Sequence, residues 1–195
     1  MARIYLGVGA NIEPETHIRL ALGRLAEVVR ITGISTFYRT PAWGAVAQPP
    51  FINGVIAAET DAPPLVVKFD ILRPIEHALG RRRGAEKYAP RPIDLDLLLY
   101  GGEVVKTETL TLPDPDIVVR PFLAIPLCEL APELRLPDGT SICAVAAAMS
   151  REHLEPSSGR TAGVSPARLP PAQLEPLPAF TALLRKELLH ESPES

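Results

Sequence analysis

One stretch limits what this chain can become more than any other: Pro90-Arg91-Pro92-Ile93-Asp94-Leu95-Asp96-Leu97-Leu98-Leu99-Tyr100. Apolar and acidic residues alternate through its middle, which is the period of a strand with one dry face. Ile93, Leu95, Leu97 and Leu99 are then expected on one face, with Asp94 and Asp96 on the other. Aspartate is a poor strand former, and two neighbouring anions on one face repel each other. Something positive has to compensate them. A pair of magnesium ions would do so, keeping some waters and taking other oxygens from a substrate's phosphates. An exposed edge strand that uses charge against aggregation gives the same pattern, and these residues alone leave both readings open.

The charge just upstream bears on that choice. Arg81-Arg82-Arg83, Lys87 and Arg91 precede the two aspartates. Phosphoryl transfer asks little covalent help of a protein; it needs positioning and neutralisation of charge spread over phosphate oxygens. Arginines on a loop that closes over a metal-bound polyphosphate supply both. A triple arginine on its own is more often a solvated surface loop. A second constellation joins Thr40-Pro41-Ala42-Trp43 to Phe51-Ile52-Asn53. Asparagine matches the amide edge of a flat heterocycle, and aromatic rings can sandwich one. Without other information, Phe51 reads as core and Asn53 as a strand-end residue.

Around these segments, Arg3 to Val8 alternates as a strand and runs into Gly7-Val8-Gly9-Ala10-Asn11. Pro14 opens a helix with Ile18, Leu22, Leu25 and Val29 at helical spacing. Strands are expected at Ile31 to Tyr38 and Phe51 to Thr60, separated by a proline- and glycine-punctuated loop. Pro63 and Pro64 start a second helix that ends near Gly80. Pro74 inside it should remove a hydrogen bond and crowd the Asp70 carbonyl, at roughly 3 kcal/mol in a regular helix, so a kink or break is expected. Residues 81–92 read as a long loop. Glu103 to Lys106 reads as a further strand, and helices are expected from Pro121 to Leu130, unless Pro126 splits it, and from Ser141 to Met149.

Strand-helix-strand-strand-helix-strand order suits an α+β, split-βαβ antiparallel sheet with helices packed on one face. The domain is expected at 1–150. Residues 151–195, with Pro170-Pro171 and Pro176-Leu177-Pro178, read as a dispensable, largely disordered Pro-rich tail with one short amphipathic helix near 179–189. At 195 residues and a net charge of −3, the chain does not have the balance of a general nucleic-acid binder. No apolar run is long enough to span a bilayer and no signal peptide is legible, so a cytoplasmic address is expected. Cys128 and Cys143 show no metal or redox spacing and read as reduced, small apolar residues.

These blocks together resemble the 6-hydroxymethyl-7,8-dihydropterin pyrophosphokinases of folate biosynthesis, over residues 3 to about 148. The residues that carry the resemblance are Gly7 to Asn11, Phe37-Tyr38-Arg39-Thr40-Pro41, Phe51-Ile52-Asn53, Ile75-Glu76, Leu79-Gly80-Arg81 and Pro90 to Asp96. Leu112-Pro113-Asp114-Pro115, Arg120-Pro121-Phe122 and Pro126 to Pro132 complete it. The resemblance implies a ferredoxin-like fold and transfer of pyrophosphate from ATP to the pterin's hydroxymethyl oxygen, with release of AMP. It further implies two Mg2+ ions on Asp94 and Asp96, with Arg81 and Arg91 as catalytic arginines and Arg83 on a mobile loop. Thr40, Pro41, Ala42, Trp43, Phe51, Asn53 and Phe122 match the pterin pocket. Glu76, Leu97, Thr111 and Arg120 match positions on the ATP side, together with Arg81, Arg83 and Arg91. The implied partners are the two small substrates, ATP and the pterin, with no nucleic acid and no membrane, and the implied state is a monomer.

Asp114 departs from the pattern, because the family usually has histidine there, near the ATP phosphates. A carboxylate cannot donate to phosphate, so weaker ATP binding is expected with the chemistry retained. Ala10 for serine and Tyr88 for tryptophan are tolerable departures; Pro74 and the tail lie outside the pattern. Gly7-Val8-Gly9 lacks the third glycine and acidic ribose ligand of a dinucleotide fold. A binding-only relative of the enzyme is favoured by Asp114 alone, and magnesium-dependent AMP formation separates the two.

Overall fold

The computed structural model describes residues 1–41, 48–82, 89–151 and 174–189. Its frame is one antiparallel sheet. Strand β1 (Ala2–Ala10) lies between β5 (Asp94–Tyr100) and β4 (Phe51–Thr60). The outer edge of β4 pairs with two short strands laid end to end, β2 (Arg30–Ile34) and β3 (Tyr38–Thr40). The single strand expected over 31–38 is therefore two, interrupted between Ile34 and Tyr38. Helix α1 (Pro14–Ala26) and the run α2 (Pro64–Val66), a π-helical turn (Val67–Leu72) and α3 (Arg73–Ala78) make the two crossovers. This is the ferredoxin-like arrangement that the element order implies.

The regular α-helix is interrupted just before Pro74, as expected, and the interruption takes the form of a π-helical turn. The turn before it widens, so that Arg73 N–H reaches back to the Lys68 carbonyl. A wider turn gives the proline ring room beside the Asp70 carbonyl, and the ring's missing N–H falls where the hydrogen-bond ladder changes register. The other internal proline, Pro126, leaves α4 (Pro121–Leu130) unsplit.

The sheet has helices on both faces, which corrects the one-face expectation. On one side Ile18, Leu22 and Leu25 of α1 and Leu72 and Ile75 pack on Ile4, Leu6, Val8, Ile52 and Ile56. On the other, Leu123 and Leu127 of α4 and Ile142 and Ala146 of α5 (Ile142–Arg151) pack on Tyr5, Val55 and Ala57. The second cluster forms because the strands are apolar on both faces over their inner halves. A register shift between Tyr5 and Leu6 also moves Leu99 to the α4 side, away from Leu95 and Leu97. A simple alternation of period two cannot show such a bulge.

Beyond β5 a small hairpin, β6 (Val105–Lys106) with β7 (Thr111–Leu112), leads into a 3-10 turn (Pro115–Val118). Two further corrections concern the C-terminal half. Cys128 and Cys143 are joined by a disulfide between α4 and α5, their Cα atoms 5.0 Å apart. They come together because the helices they sit on pack against each other, a tertiary contact that spacing along the chain does not display. The tail also enters the fold: β8 (Glu175–Pro176) pairs with β3, and α6 (Pro178–Leu189) buries Phe180, Thr181 and Leu184. Burial of a Phe or Leu side chain stabilises by about 1.5–3 kcal/mol each, which does not suit a dispensable appendage.

Candidate active site

Pairing across the sheet brings the two constellations onto one face. Asp94 pairs with Gly9, Gly9 with Asn53, and Asn53 with Tyr38; one step along, Asp96 pairs with Gly7 and Gly7 with Val55. Directly paired residues point to the same side, so Asp94, Asp96, Asn53 and Thr40 share the α4 face. Adjacent strands lie about 4.8 Å apart, which puts roughly 10 Å of sheet between the Asp94 and Asn53 positions. The residues between them are glycines. The floor linking the carboxylates to Asn53 is therefore bare backbone.

Gly9 has to be glycine for a local reason. A Cβ there would lie 2.5 Å from Asn53 Oδ1. Asn53, buried, leans over Gly9 and donates from Nδ2 to Thr40 Oγ1 at 2.7 Å, which fixes its amide plane. Gly54 is equally constrained, because a Cβ there would lie 2.8 Å from the Phe37 ring.

The acidic end is organised by two arginines. Arg81 Nη1 pairs with Asp94 Oδ1 and also donates to Glu76 Oε1 at 2.6 Å and to the Ile93 carbonyl at 3.2 Å. Arg91 Nη1 donates to Asp94 Oδ2 at 2.5 Å. Both oxygens of Asp94 thus face a guanidinium, and phosphate oxygens would compete with them for the same donors. Glu76 is almost fully buried, and its Oε1 also accepts the Leu95 N–H at 2.9 Å. It fixes where Arg81 sits against the strand.

Asp96 has a different environment. Burial first, then the charges of Asp94 and Asp114, push its carboxyl upward to about 7. Its outer edge is nonetheless open to water, which moderates the effect. Asp114 N–H donates to the Leu98 carbonyl, and Asp114 Oδ1 accepts from Asp116 N–H at 2.8 Å, capping the 3-10 turn. Burial raises the Asp114 carboxyl as well. Carboxylates held on one face with raised proton affinity are short of positive charge. Among the described residues no three His, Cys, Asp or Glu side chains converge as a closed metal cage. An open pair of carboxylates suits magnesium, whose other oxygens come from water and phosphate.

The remaining expected residues lie around this face. Phe51 pairs with Thr40, and the Arg91 guanidinium stands 5.9 Å from the Phe51 ring centroid. Phe122, near the start of α4, is half-buried against the α4-side core and 5.6 Å from the Arg120 guanidinium, whose Nε donates to Asp116 Oδ2 at 2.7 Å. Pro41 and Thr111 are exposed. The side chain of Leu97 is buried in the core on the opposite face, so only its backbone edges the site. Ala42, Trp43 and Arg83 lie outside the described residues, as do Lys87 and Tyr88.

Sequence reasoning assigned no role to Asn11, which directly follows β1 and is buried. Its Oδ1 accepts the Arg91 N–H at 2.7 Å and its N–H donates to the Arg91 carbonyl at 3.1 Å. Its Nδ2 reaches the Pro49 carbonyl at 3.3 Å. One side chain thus ties the arginine-bearing segment to Pro49, just ahead of β4. A polar residue following Gly-Val-Gly-Ala was the one signal available. Glu129 was also missed: it accepts from the Thr36 N–H at 2.8 Å and from the Tyr38 hydroxyl, bracing the approach to β3 from α4.

Comparison with known proteins agrees with this geometry. Residues 5–132 match the family model described as 7,8-dihydro-6-hydroxymethylpterin-pyrophosphokinase. A Pseudomonas aeruginosa 2-amino-4-hydroxy-6-hydroxymethyldihydropteridine pyrophosphokinase is 38% identical over 157 residues, covering 78% of this chain and 95% of the relative. A protein of the same name from Aquifex aeolicus is 38% identical over 135 residues, covering 69% and 83%. Among solved structures, a two-part HPPK-DHPS in complex with substrates superposes with a TM-score of 0.62 at 12% identity. That match covers 77% of this chain and 44% of the other, so the chain spans less than half of that protein; at such identity the likeness speaks for the fold. A Plasmodium falciparum HPPK-DHPS triple mutant with pteroate gives a TM-score of 0.61, also at 12% identity, covering 78% and 44%. The bare glycine floor, the paired aspartates with their arginines and the family match agree: the chain belongs to the 7,8-dihydro-6-hydroxymethylpterin-pyrophosphokinase family.

Proposed function

We propose that this chain transfers pyrophosphate from ATP to the hydroxymethyl group of 6-hydroxymethyl-7,8-dihydropterin, releasing AMP, a step of folate biosynthesis. The observation that carries the reading is the shared sheet face, where Asp94 and Asp96 look across a glycine floor to the Asn53–Thr40 pair. Asn53 and Thr40 hold the flat ring, with Phe51 and Phe122 available to stack on it. The pterin's alcohol then points along the floor toward the aspartates, and holding it there supplies the orientation that transfer needs. Arg81 and Arg91 neutralise the moving phosphoryl oxygens, and Glu76 keeps Arg81 in place. Arg120 and the backbone at Leu97 and Thr111 lie toward the nucleotide, with Arg83 proposed to close over its phosphates.

Asp94 and Asp96 would hold two Mg2+ ions, which when bound polarise the phosphate oxygens and the attacking alcohol. A monomer is proposed as the working unit. The requirement for ATP supports a cytoplasmic address. No helix among the described residues is long and apolar enough to cross a membrane.

Phosphorus NMR of the purified protein with ATP, magnesium and the hydroxymethyl pterin tests the reading. AMP and a pterin diphosphate should appear together and vanish in Asp96→Ala. ADP in place of AMP would mean attack at the terminal phosphorus and a different kinase.

A further inference from the structure

The C-terminal segment 174–189 lies beyond the stretch that matches the family model, yet it grips the strand that carries Thr40. Phe37 is where the grip is made. Its N–H donates to Thr181 Oγ1 at 2.9 Å, and its carbonyl accepts the Leu177 N–H at 2.8 Å. Its ring meets Phe180 edge-on, with centroids 5.6 Å apart, and its other side fills the space over Gly54. Directly after Phe37, β8 pairs with β3 through Tyr38 and Arg39, occupying the edge opposite β4. Thr181 Oγ1 is anchored in turn, donating to the Leu177 carbonyl at 2.9 Å.

We infer that segment 174–189 is a positioning clamp for the pterin pocket: through Phe37 and β3 it sets where Thr40 and Asn53 stand. The inference rests on the reading of that pocket as the pterin site. A three-residue strand paired on one edge alone is a weak support for a hydroxyl that must hold an amide plane. Pairing on the second edge and a ring wedged against Gly54 remove its freedom to slide or tilt. Asp94 and Asp96 stand on β5, on the far side of β1 from the clamp, and among the described residues the clamp's hydrogen bonds and strand pairing go to Phe37 and β3. Its influence is therefore directed at one substrate.

Thr181→Val in the full chain tests this, because it keeps the volume and removes the acceptor for the Phe37 N–H. Losing one buried hydrogen bond at this point should raise the KM for the pterin by about fivefold, with kcat and the KM for ATP within about twofold of the parent. Thr181→Ser keeps the hydroxyl and should restore the pterin KM. A melting curve for each variant confirms that it is folded under the assay conditions. A pterin KM unchanged in Thr181→Val, or a rise shared equally with ATP, overturns the clamp while leaving the pterin reading intact. A parent chain that turns over ATP without the pterin overturns that reading and the clamp with it.

Discussion

Gly9→Ala is the smallest change that should separate pterin recognition from phosphoryl chemistry. The added methyl would stand 2.5 Å from Asn53 Oδ1, where ordinary contact begins at 3.4 Å. Relief requires a displacement of about 0.9 Å, since a repulsive overlap of that depth cannot be borne. The atom met is close to the backbone of β4, and Asn53 already spends its Nδ2 on Thr40 Oγ1 at 2.7 Å. Moving the amide by that amount stretches this bond past any useful length. A buried polar group that loses its partner costs about 1–3 kcal/mol. If the cost falls on pterin binding, its KM rises roughly five- to a hundredfold, since about 1.4 kcal/mol is a factor of ten. Steady-state assays with each substrate varied in turn are the measurement, with Gly7→Ala as control. At Gly7 the new methyl meets only the ends of Leu123 and Leu98, at 3.3 and 3.4 Å, which can give way. A pterin KM in Gly9→Ala within twofold of the parent would refute the reasoning, because the amide plane would then not be what holds the ring.

Asp114→His should lower the KM for ATP, because it replaces a carboxylate near Asp96 with a group that can donate to phosphate; an unchanged or higher KM counts against that. The raised carboxyl of Asp96 makes the metal-free protein pH-sensitive. A folded-state value above the unfolded one near 4 means that stability is full below about pH 4 and declines as pH rises toward 7. Melting midpoints in chelator should therefore fall over that window, less steeply in Asp96→Asn, and a parent curve that is flat or rises there counts against the raised carboxyl. Reduction of the Cys128–Cys143 disulfide reopens a loop of 15 residues' separation. The entropy of such a loop corresponds to about 3 kcal/mol, so dithiothreitol should lower the melting midpoint by roughly 6–12 °C, and an identical melt with and without reductant would show that the bond adds nothing.

The frame and the two chemical ends were legible because they are written in local patterns. Alternation through Asp94 and Asp96 gave a strand with acids on one side, and helical spacing from Ile18 to Val29 gave the crossover that covers it. Pairing partners were not legible. Nothing in the order of residues says that Asp94 faces Gly9 and Gly9 faces Asn53; that follows from the register of two non-adjacent strand pairs. The same holds for the disulfide, made by helix packing, and for Asn11, whose partners lie 37 to 80 residues away. The short helix expected near 179–189 is present as α6, but its docking into the fold was missed for a compositional reason. The tail's prolines lower the capacity of 151–178 to form a core, while Phe180 and Leu184, one helical turn apart, were enough to dock the end of it. Leu99 was assigned to the wrong face because a bulge advances the phase of a strand by one residue without changing its composition.

The widened turn at Val67–Leu72 acts as a phase shifter. Relative to a straight α-helix it holds one additional residue, and each residue of an α-helix advances the side chains by about 100°. Deleting one residue from that turn would let the helix run regularly, at the risk of driving Pro74 into its preceding carbonyl. It would also swing Glu76 round the axis by that angle, away from the Leu95 N–H and Arg81. Loss of Glu76 from beneath Arg81 would then be felt at Asp94, so the local irregularity sets the rotational timing by which a helix on one side of the sheet addresses chemistry on the other.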